Sequence, residues 1–190
     1  MILRHRSGWF LVSLVCLSLV FSCAKKEKKA EGTAADSTKP DTTLSYVSEE
    51  VNFGAFFDEQ GTKRTVKLGP RDNQVKLYII VSFPKAMQMN AVEYRLVLPE
   101  GVSLENDKFY ENRVALLGSF GDGISETFPC VAGPSLLLHT LTLNVPPGIK
   151  NGEIAFLPHN RSNFIGIALC DESQTLVTAA AYKAVINPTE

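Results

Sequence analysis

The amino-acid sequence predicts an all-β domain, a two-sheet antiparallel β-sandwich of about eight to ten strands. Short apolar runs alternate with polar residues at a period of two, which is the side-chain period of a β-strand. Glycine, proline and asparagine bound these runs, and no segment carries a convincing amphipathic helical pattern. Turn signals that recur every ~8–15 residues are typical of a two-layer sandwich.

The clearest strands lie in the middle of the chain. Residues 74–83, QVKLYIIVSF, carry an apolar side chain at every second position from Val75 onward. Residues 91–101, AVEYRLVLPEG, alternate in the same way and end at Pro-Glu-Gly. Residues 135–148, SLLLHTLTLNVPPG, stop at two prolines and a glycine, which cannot continue a central strand.

Several shorter segments complete the pattern. The remaining apolar runs cover residues 46–57, 62–69, 152–158, 164–170 and 175–186. The last of these, TLVTAAAYKAVI, contains alanines that a helix would accept, but its alternation from Val177 to Val185 favours one final strand. Residues 103–126 are the least strand-like part and predict a long connection.

The N-terminal residues 1–22 read as a signal peptide that is removed. Arg4 and Arg6 form a basic start, and an apolar core runs from Trp9 to Phe21. This core is shorter than the ~20 residues that a membrane-spanning helix requires.

The end of that core, Val20-Phe21-Ser22-Cys23, resembles the lipobox of bacterial lipoproteins. The resemblance implies cleavage before Cys23, a diacylglycerol on its thiol and a fatty acid such as palmitate on the new N-terminus. Phe21 is bulkier than the residue this family prefers there, and an ordinary secretory leader cut nearby is the alternative. In Gram-negative lipoproteins, a residue such as Ala24 after the cysteine implies passage to the outer membrane.

The residues after Cys23 predict a flexible polar tether that extends to residue 44. They are rich in Lys, Glu, Ala, Thr and Ser and cannot bury enough apolar surface to fold. The four lysines in AKKEKKA either lie against anionic headgroups, at ~1 kcal/mol each, or are merely solvated. The folded domain is predicted over residues 45–190.

The charge of the chain excludes some partners. Its formal net charge is −1, with no basic stripe, so nucleic acid is not an expected partner. Neither a zinc-type spacing of Cys and His nor a nucleophile-elbow motif is present, so we expect no cofactor, no metal and no enzymatic activity.

The chain has four cysteines, and two of them fall in the predicted domain. Cys16 would leave with the signal peptide, and Cys23 would carry the lipid. Cys130 and Cys170 remain, and an even number in an exported protein suggests a disulfide, which would stabilise the fold by ~4 kcal/mol. Two buried thiols are the alternative.

Few side chains suggest a site. His139 lies within an apolar strand and is expected to be a satisfied sheet residue rather than a ligand. Asp122 and Glu126 lie in a glycine-rich stretch that could hold calcium, but a turn is favoured because the dense ladder of acids is missing.

A candidate binding surface combines aromatic residues of the long connection with a polar loop that could bind a sugar hydroxyl or a carboxylate. Its members are Phe109, Tyr110, Phe120, His159, Asn160 and Arg161. Exposed rings on a long connection are good recognition elements. The alternatives are that the rings cap the core and that the loop is an ordinary turn.

Residues 75–104, from VKLYIIVSF to VLPEGVSL, resemble the strand–loop–strand near the start of cohesin-like and carbohydrate-binding β-sandwiches. The resemblance implies an immunoglobulin-, cohesin- or jelly-roll-like fold and a module that binds protein or glycan. The leading hypothesis is therefore a non-catalytic, lipid-anchored binding or adhesion module for a protein, glycan or envelope component.

Two other functions are open. A cell-envelope hydrolase would show a polar cleft with a carboxylate of raised pKa. A structural or accessory subunit of an envelope assembly would show an exposed apolar patch or an unpaired edge strand.

Overall fold

A computed structural model describes residues Val47–Thr189, with side chains from Glu50 onward, and all regular structure in this range is β-strand. The predicted signal peptide, the lipidation of Cys23 and the whole tether therefore lie outside the described residues. The strands are β1 (Val47–Phe56), β2 (Thr65–Val66), β3 (Gln74–Ser82), β4 (Gln88–Val97), β5 (Ser103–Phe109), β6 (Ala115–Ser119), β7 (Gly123–Ala132), β8 (Ser135–Asn144), β9 (Gly152–Leu157), β10 (Gly166–Leu169), β11 (Leu176–Tyr182) and β12 (Ala184–Ile186). Between Val47 and Thr189, no helix is long and apolar enough to cross a bilayer.

The strands form two facing layers, as the sequence predicts. One layer has the order β1-β3-β8-β5, and the other contains β12, β9, β4, β7 and β6. Strands β10 and β11 run between β4 and β1 and join the two layers along one edge. Most neighbours are antiparallel, but β1 pairs with β11 in parallel and with β3 antiparallel.

An aromatic cluster fills the centre of the core. The rings of Phe53 and Tyr94, from opposite layers, lie 5.1 Å apart between centroids. Phe156 on β9 contacts both rings, at 5.8 and 5.5 Å. These three side chains are buried, and tilted ring pairs of this kind stabilise a core beyond the burial of their area.

An irregularity in β8 changes which of its side chains face the core. Opposite β3, His139 pairs with Ile79 and Leu137 pairs with Ile80, so Leu138 is the extra residue of a bulge. Leu138 and His139 are both fully buried, although they are neighbours in sequence. Because of the bulge, the side chains that face the core are the even-numbered ones before it and the odd-numbered ones after it. The imidazole of His139 therefore points into the core.

Two sequence predictions need correction. Residues 103–126 are not one long connection, because β5, β6 and the start of β7 lie within them. The predicted final strand over 175–186 is two strands, which end and begin around Lys183. β11 pairs with β10 and β1, whereas β12 pairs with β9 and β2, so the chain crosses from one part of the sheet to another at this residue.

The predicted disulfide between Cys130 and Cys170 is confirmed, with their Cα atoms 6.0 Å apart. Cys130 lies in β7 and Cys170 follows β10, so the bond connects the strands on either side of β4. The backbone N–H of Cys170 also donates to the carbonyl of Gln88 on β4, at 2.9 Å.

Candidate functional site

The outward side of β4, β7 and β10 carries two neighbouring concave sites. Residues directly opposite one another on paired strands face the same side of a sheet. One row across the strands contains Leu117, Ser125, Glu93 and Gly166, and the next contains Ala115, Thr127, Ala91 and Ala168. We call this surface the outer face.

The second row passes through an apolar hollow of about 330 Å³. The hollow is lined by Ala91, Thr127, Phe164, Gly166, Ala168 and Leu176, among others. Small side chains form its base, while Leu176, whose side chain is 59% exposed, forms a wall. A hollow of this size has room for one or two apolar side chains of a partner.

Gly166 explains why the hollow is concave. A Cβ atom at this position would lie 2.5 Å from the ring of Phe164 and 2.1 Å from the carbonyl oxygen of Val177. The ring of Phe164 therefore lies over the glycine, and only glycine allows this approach.

Glu93 lies at the edge of the hollow, on the border between it and a second concave site, the polar groove described below. One carboxylate oxygen accepts a hydrogen bond from the hydroxyl of Ser125, at 2.9 Å. The other accepts from the hydroxyl of Ser162 in the loop after β9. Because both bonds are made to one side chain, the loop is fixed against the sheet.

A polar groove of about 710 Å³ lies on the other side of this border. It is lined by Leu117, Ser119, Asp122, His159, Asn160 and Arg161, among others. The predicted loop residues His159, Asn160 and Arg161 are thus brought together at one concave site. Glu93 and the groove together present both hydrogen-bond donors and acceptors.

The loop of residues 159–163 is held in place by several contacts. The backbone N–H of Arg161 donates to Nδ1 of His159 at 3.1 Å. The guanidinium of Arg95 on β4 donates to the side-chain oxygen of Asn160 at 2.6 Å. Gly123 approaches the imidazole of His159 closely, because a Cβ there would lie 2.4 Å from its ring. These contacts hold the backbone of the loop that lines the groove in one position.

The aromatic members of the predicted surface lie elsewhere. Phe109 and Tyr110 border a separate depression beside β8, of about 300 Å³. The ring of Phe109 is covered by the guanidinium of Arg113, 3.5 Å from its centroid, and the ring of Tyr110 packs edge-on against Phe128. Phe120 is partly buried with its ring against His139. The loop residues thus line the groove, Phe109 and Tyr110 line a separate depression, and Phe120 lines neither. The role of the six residues in binding stays a prediction.

A buried network joins the two layers beneath the outer face. The Nδ1 atom of His139 lies 2.7 Å from a carboxylate oxygen of Asp107, and Nε2 lies 2.6 Å from one of Glu126. The guanidinium of Arg113 lies 3.5 Å from the second oxygen of Glu126, and the hydroxyl of Tyr94 lies 3.5 Å from the first. His139 is therefore a satisfied sheet residue, as expected, and its partners are two acids.

The protonation of this network follows from its geometry. Burial by itself would lower the pKa of His139, but the hydrogen bonds and charges of Asp107 and Glu126 outweigh it, so the pKa is raised. Burial, together with the charge of Glu126, raises the pKa of the Tyr94 hydroxyl well above its usual value. When protonated, the imidazole can donate to both carboxylates.

The predicted turn at Asp122 is present, and Glu126 is separated from it. The carboxylate of Asp122 accepts from the hydroxyl of Ser119 at 3.1 Å, whereas the side chain of Glu126 points into the core. Over Val47–Thr189, no cluster of three or more His, Cys, Asp or Glu side chains is arranged to hold a metal ion.

Comparison with known proteins identifies the fold. A type III cohesin module from the cell-surface anchoring scaffoldin of Ruminococcus flavefaciens superposes with a TM-score of 0.51 at 14% identity, covering 84% of this chain and 97% of that one. The described domain has a cohesin-like fold.

Other cohesins superpose less closely. The cohesin of a Clostridium thermocellum cohesin–dockerin complex gives a TM-score of 0.48 at 9% identity, over 74% of this chain and 99% of that one. A cohesin module of a Clostridium perfringens family 33 glycoside hydrolase gives 0.48 at 11% identity, over 75% and 100%. No protein-family model and no curated protein matches the chain.

Neither the hollow nor the network was predicted from the sequence. The base of the hollow combines Ala91 with Gly166 and Ala168, which lie more than 70 residues further along the chain, and no motif links them. A signal was present at Gly166, since a glycine inside a strand pattern indicates close approach of another group.

Proposed function

We propose that this chain is a lipid-anchored, non-catalytic module that binds a protein through its outer face. The observation that carries the proposal is the apolar hollow beside a polar groove, both set on hydrogen-bonded strands. An apolar centre with a polar border is the usual composition of a protein-binding surface. Since the walls are already ordered, a partner would lose little affinity to ordering them.

A protein fits this surface better than a glycan does. Sugar-binding sites use exposed aromatic faces. Phe109 is 45% exposed, but the guanidinium of Arg113 stacks on its ring and it lies outside the outer face. Tyr110 and Phe120 are partly buried against the core. The apolar lining of the hollow suits a side chain such as leucine or valine.

A binding role also fits the position of the acid–base groups. The side chains of His139 and Glu126 have no exposed surface, so a substrate cannot reach them. The fold shared with a cohesin module of a cell-surface anchoring scaffoldin supports binding over catalysis.

The anchor is the second part of the proposal. Lipidation of Cys23 would attach the chain to the outer membrane, and the tether that follows would reach at most ~70 Å when extended. Several acyl chains, at ~0.8 kcal/mol for each buried methylene, hold a protein firmly where one chain does not.

The test is site-specific photo-crosslinking of the full-length chain in the cells that produce it. A photoreactive residue at Leu176 should give a discrete adduct with another protein, and Ala168→Arg should reduce that adduct by about tenfold or more, because the long cation fills the hollow. The matched control is a photoreactive residue at the exposed Lys76 on β3, outside this face. Equal adducts from both positions, or an adduct that Ala168→Arg leaves unchanged, would contradict the proposal.

A further inference from the structure

The outermost strand of the β4 layer, β6, has a free edge. Among the described strands, β6 pairs only with β7, and all five of its residues are exposed. In a strand with one neighbour, alternate residues direct their N–H and C=O groups away from it, and these groups can pair with another strand.

The sequence of this edge does not protect it against pairing. Residues 115–119, ALLGS, contain no charge and no proline, and the side chain of Leu117 is 71% exposed. Val114, immediately before the strand, is 73% exposed. Folded proteins usually block such an edge with charges, prolines or bulges.

The edge of the opposite layer shows that protection. β5 pairs only with β8 among the described strands, and it carries Glu105, Asp107 and Lys108 as well as a bulge between Leu104 and Asn106. The third terminal strand, β2, is only two residues long, so β6 is the longest of the described edge strands that carries no charged side chain.

The strand also complements itself. In an antiparallel pair of two β6 strands centred on Leu117, Leu116 lies opposite Gly118 and Ala115 lies opposite Ser119. The first pair combines a large side chain with a small one, and the second pair combines two small side chains. No like charges lie opposite each other. The two exposed Leu117 side chains would cover each other at the centre. Gly118 has a φ of 90° and still pairs with Ile124 in the β6–β7 ladder.

We propose that β6 is a self-association edge, at which two copies of this chain pair their β6 strands antiparallel around Leu117. The pairing joins the β4 layers of the two copies into one continuous sheet. Leu117 also lines the polar groove, but no β6 residue lines the hollow. The binding proposal is tested at Ala168 and Leu176 in the hollow, so a failure of one proposal can be distinguished from a failure of the other.

The test is disulfide trapping in cells that produce the full-length chain. Opposite residues of an antiparallel pair have Cα atoms ~4.5–5.5 Å apart, which lies within the range that a disulfide spans. Leu117→Cys should therefore give a reductant-sensitive dimer on a gel, and unaltered chain shows the background. The matched control is Leu104→Cys on the protected edge, whose side chain is 40% exposed and should stay monomeric.

A second pair of variants tests the register. Ala115→Cys and Ser119→Cys, produced together, should form a mixed dimer, while each alone should give much less. Absence of a dimer from Leu117→Cys and from the mixed pair would overturn the proposal. Equal trapping at Leu104 and Leu117 would overturn it as well, because it would show random collision.

Discussion

His139 and Glu126 come from opposite layers of the sandwich and are joined by a 2.6 Å contact between two side chains with no exposed surface. Asp107 completes the arrangement at the other ring nitrogen, 2.7 Å away. A buried ion pair contributes little net stability compared with apolar residues of the same shape, but removing one partner leaves a buried charge without compensation. The network therefore makes the packing of the two layers sensitive to single substitutions.

We expect His139→Ala to destabilise the domain by about 3–5 kcal/mol, because the buried Glu126 would lose its 2.6 Å partner and keep only the longer contact to Arg113. Urea unfolding of the purified chain measures this change. Lys183→Ala is the matched control, since it removes an ion pair with Glu153 that is exposed on both sides and should cost less than about 1 kcal/mol. Equal losses from the two variants would show that the buried network has no special role.

The stability of the domain should also depend on pH in a defined direction. The pKa of His139 is raised in the folded state, so the contribution of its charge is fully present below the unfolded value of 6.5 and is lost as pH rises through the folded value. The free energy of unfolding should therefore fall between near-neutral and mildly alkaline pH. His139→Gln should flatten this part of the profile, whereas an unchanged slope would assign it to other groups.

The hairpin beneath the groove offers a matched pair of glycines. Gly123→Ala should destabilise the domain by about 1–3 kcal/mol, because its φ of 117° is strained for alanine and its Cβ would meet the ring of His159. Gly121→Ala, two residues away, meets nothing within 4 Å and should be close to neutral. Thermal unfolding of both variants provides the measurement. A loss at Gly121 equal to that at Gly123 would argue against the close packing of the loop.

The lipid anchor is tested by Cys23→Ser. We expect this variant to lose labelling by a fatty-acid analogue and to leave the membrane fraction, because the thiol that carries the diacylglycerol is absent. Cys16→Ser, within the leader, should keep both properties. Retained labelling in the Cys23 variant would refute lipidation at this residue.

The strands that were predicted from the sequence are those with one buried face. β3 and β4 carry regular alternation, and their burial follows it closely. β5 and β6 were missed because neither places an alternating apolar face on the core, and every residue of β6 is exposed. Period-two patterns report burial rather than hydrogen bonding, so edge strands are the elements that they fail to detect.

The candidate site could be predicted only where its parts are adjacent in the chain. His159, Asn160 and Arg161 were found because a short polar loop keeps neighbours together. The pairing of Glu126 with His139 depends on a bulge in β8 and on contact between layers, and neither is encoded in a local pattern. The break at Lys183 also depends on contacts between distant parts of the chain. β11 ends where its pairing with β1 ends, and β12 begins where the chain pairs with β9.

The position of β1 has a mechanical consequence. β1 is hydrogen-bonded on one side to β11 and on the other to β3. A pull transmitted along the preceding residues would act parallel to both ladders, so many hydrogen bonds would have to break together rather than one after another. The domain would thus resist tension on its N-terminal side in shear, the strongest direction for a β-sheet. Such resistance suits a module that holds a partner against flow or movement at a surface.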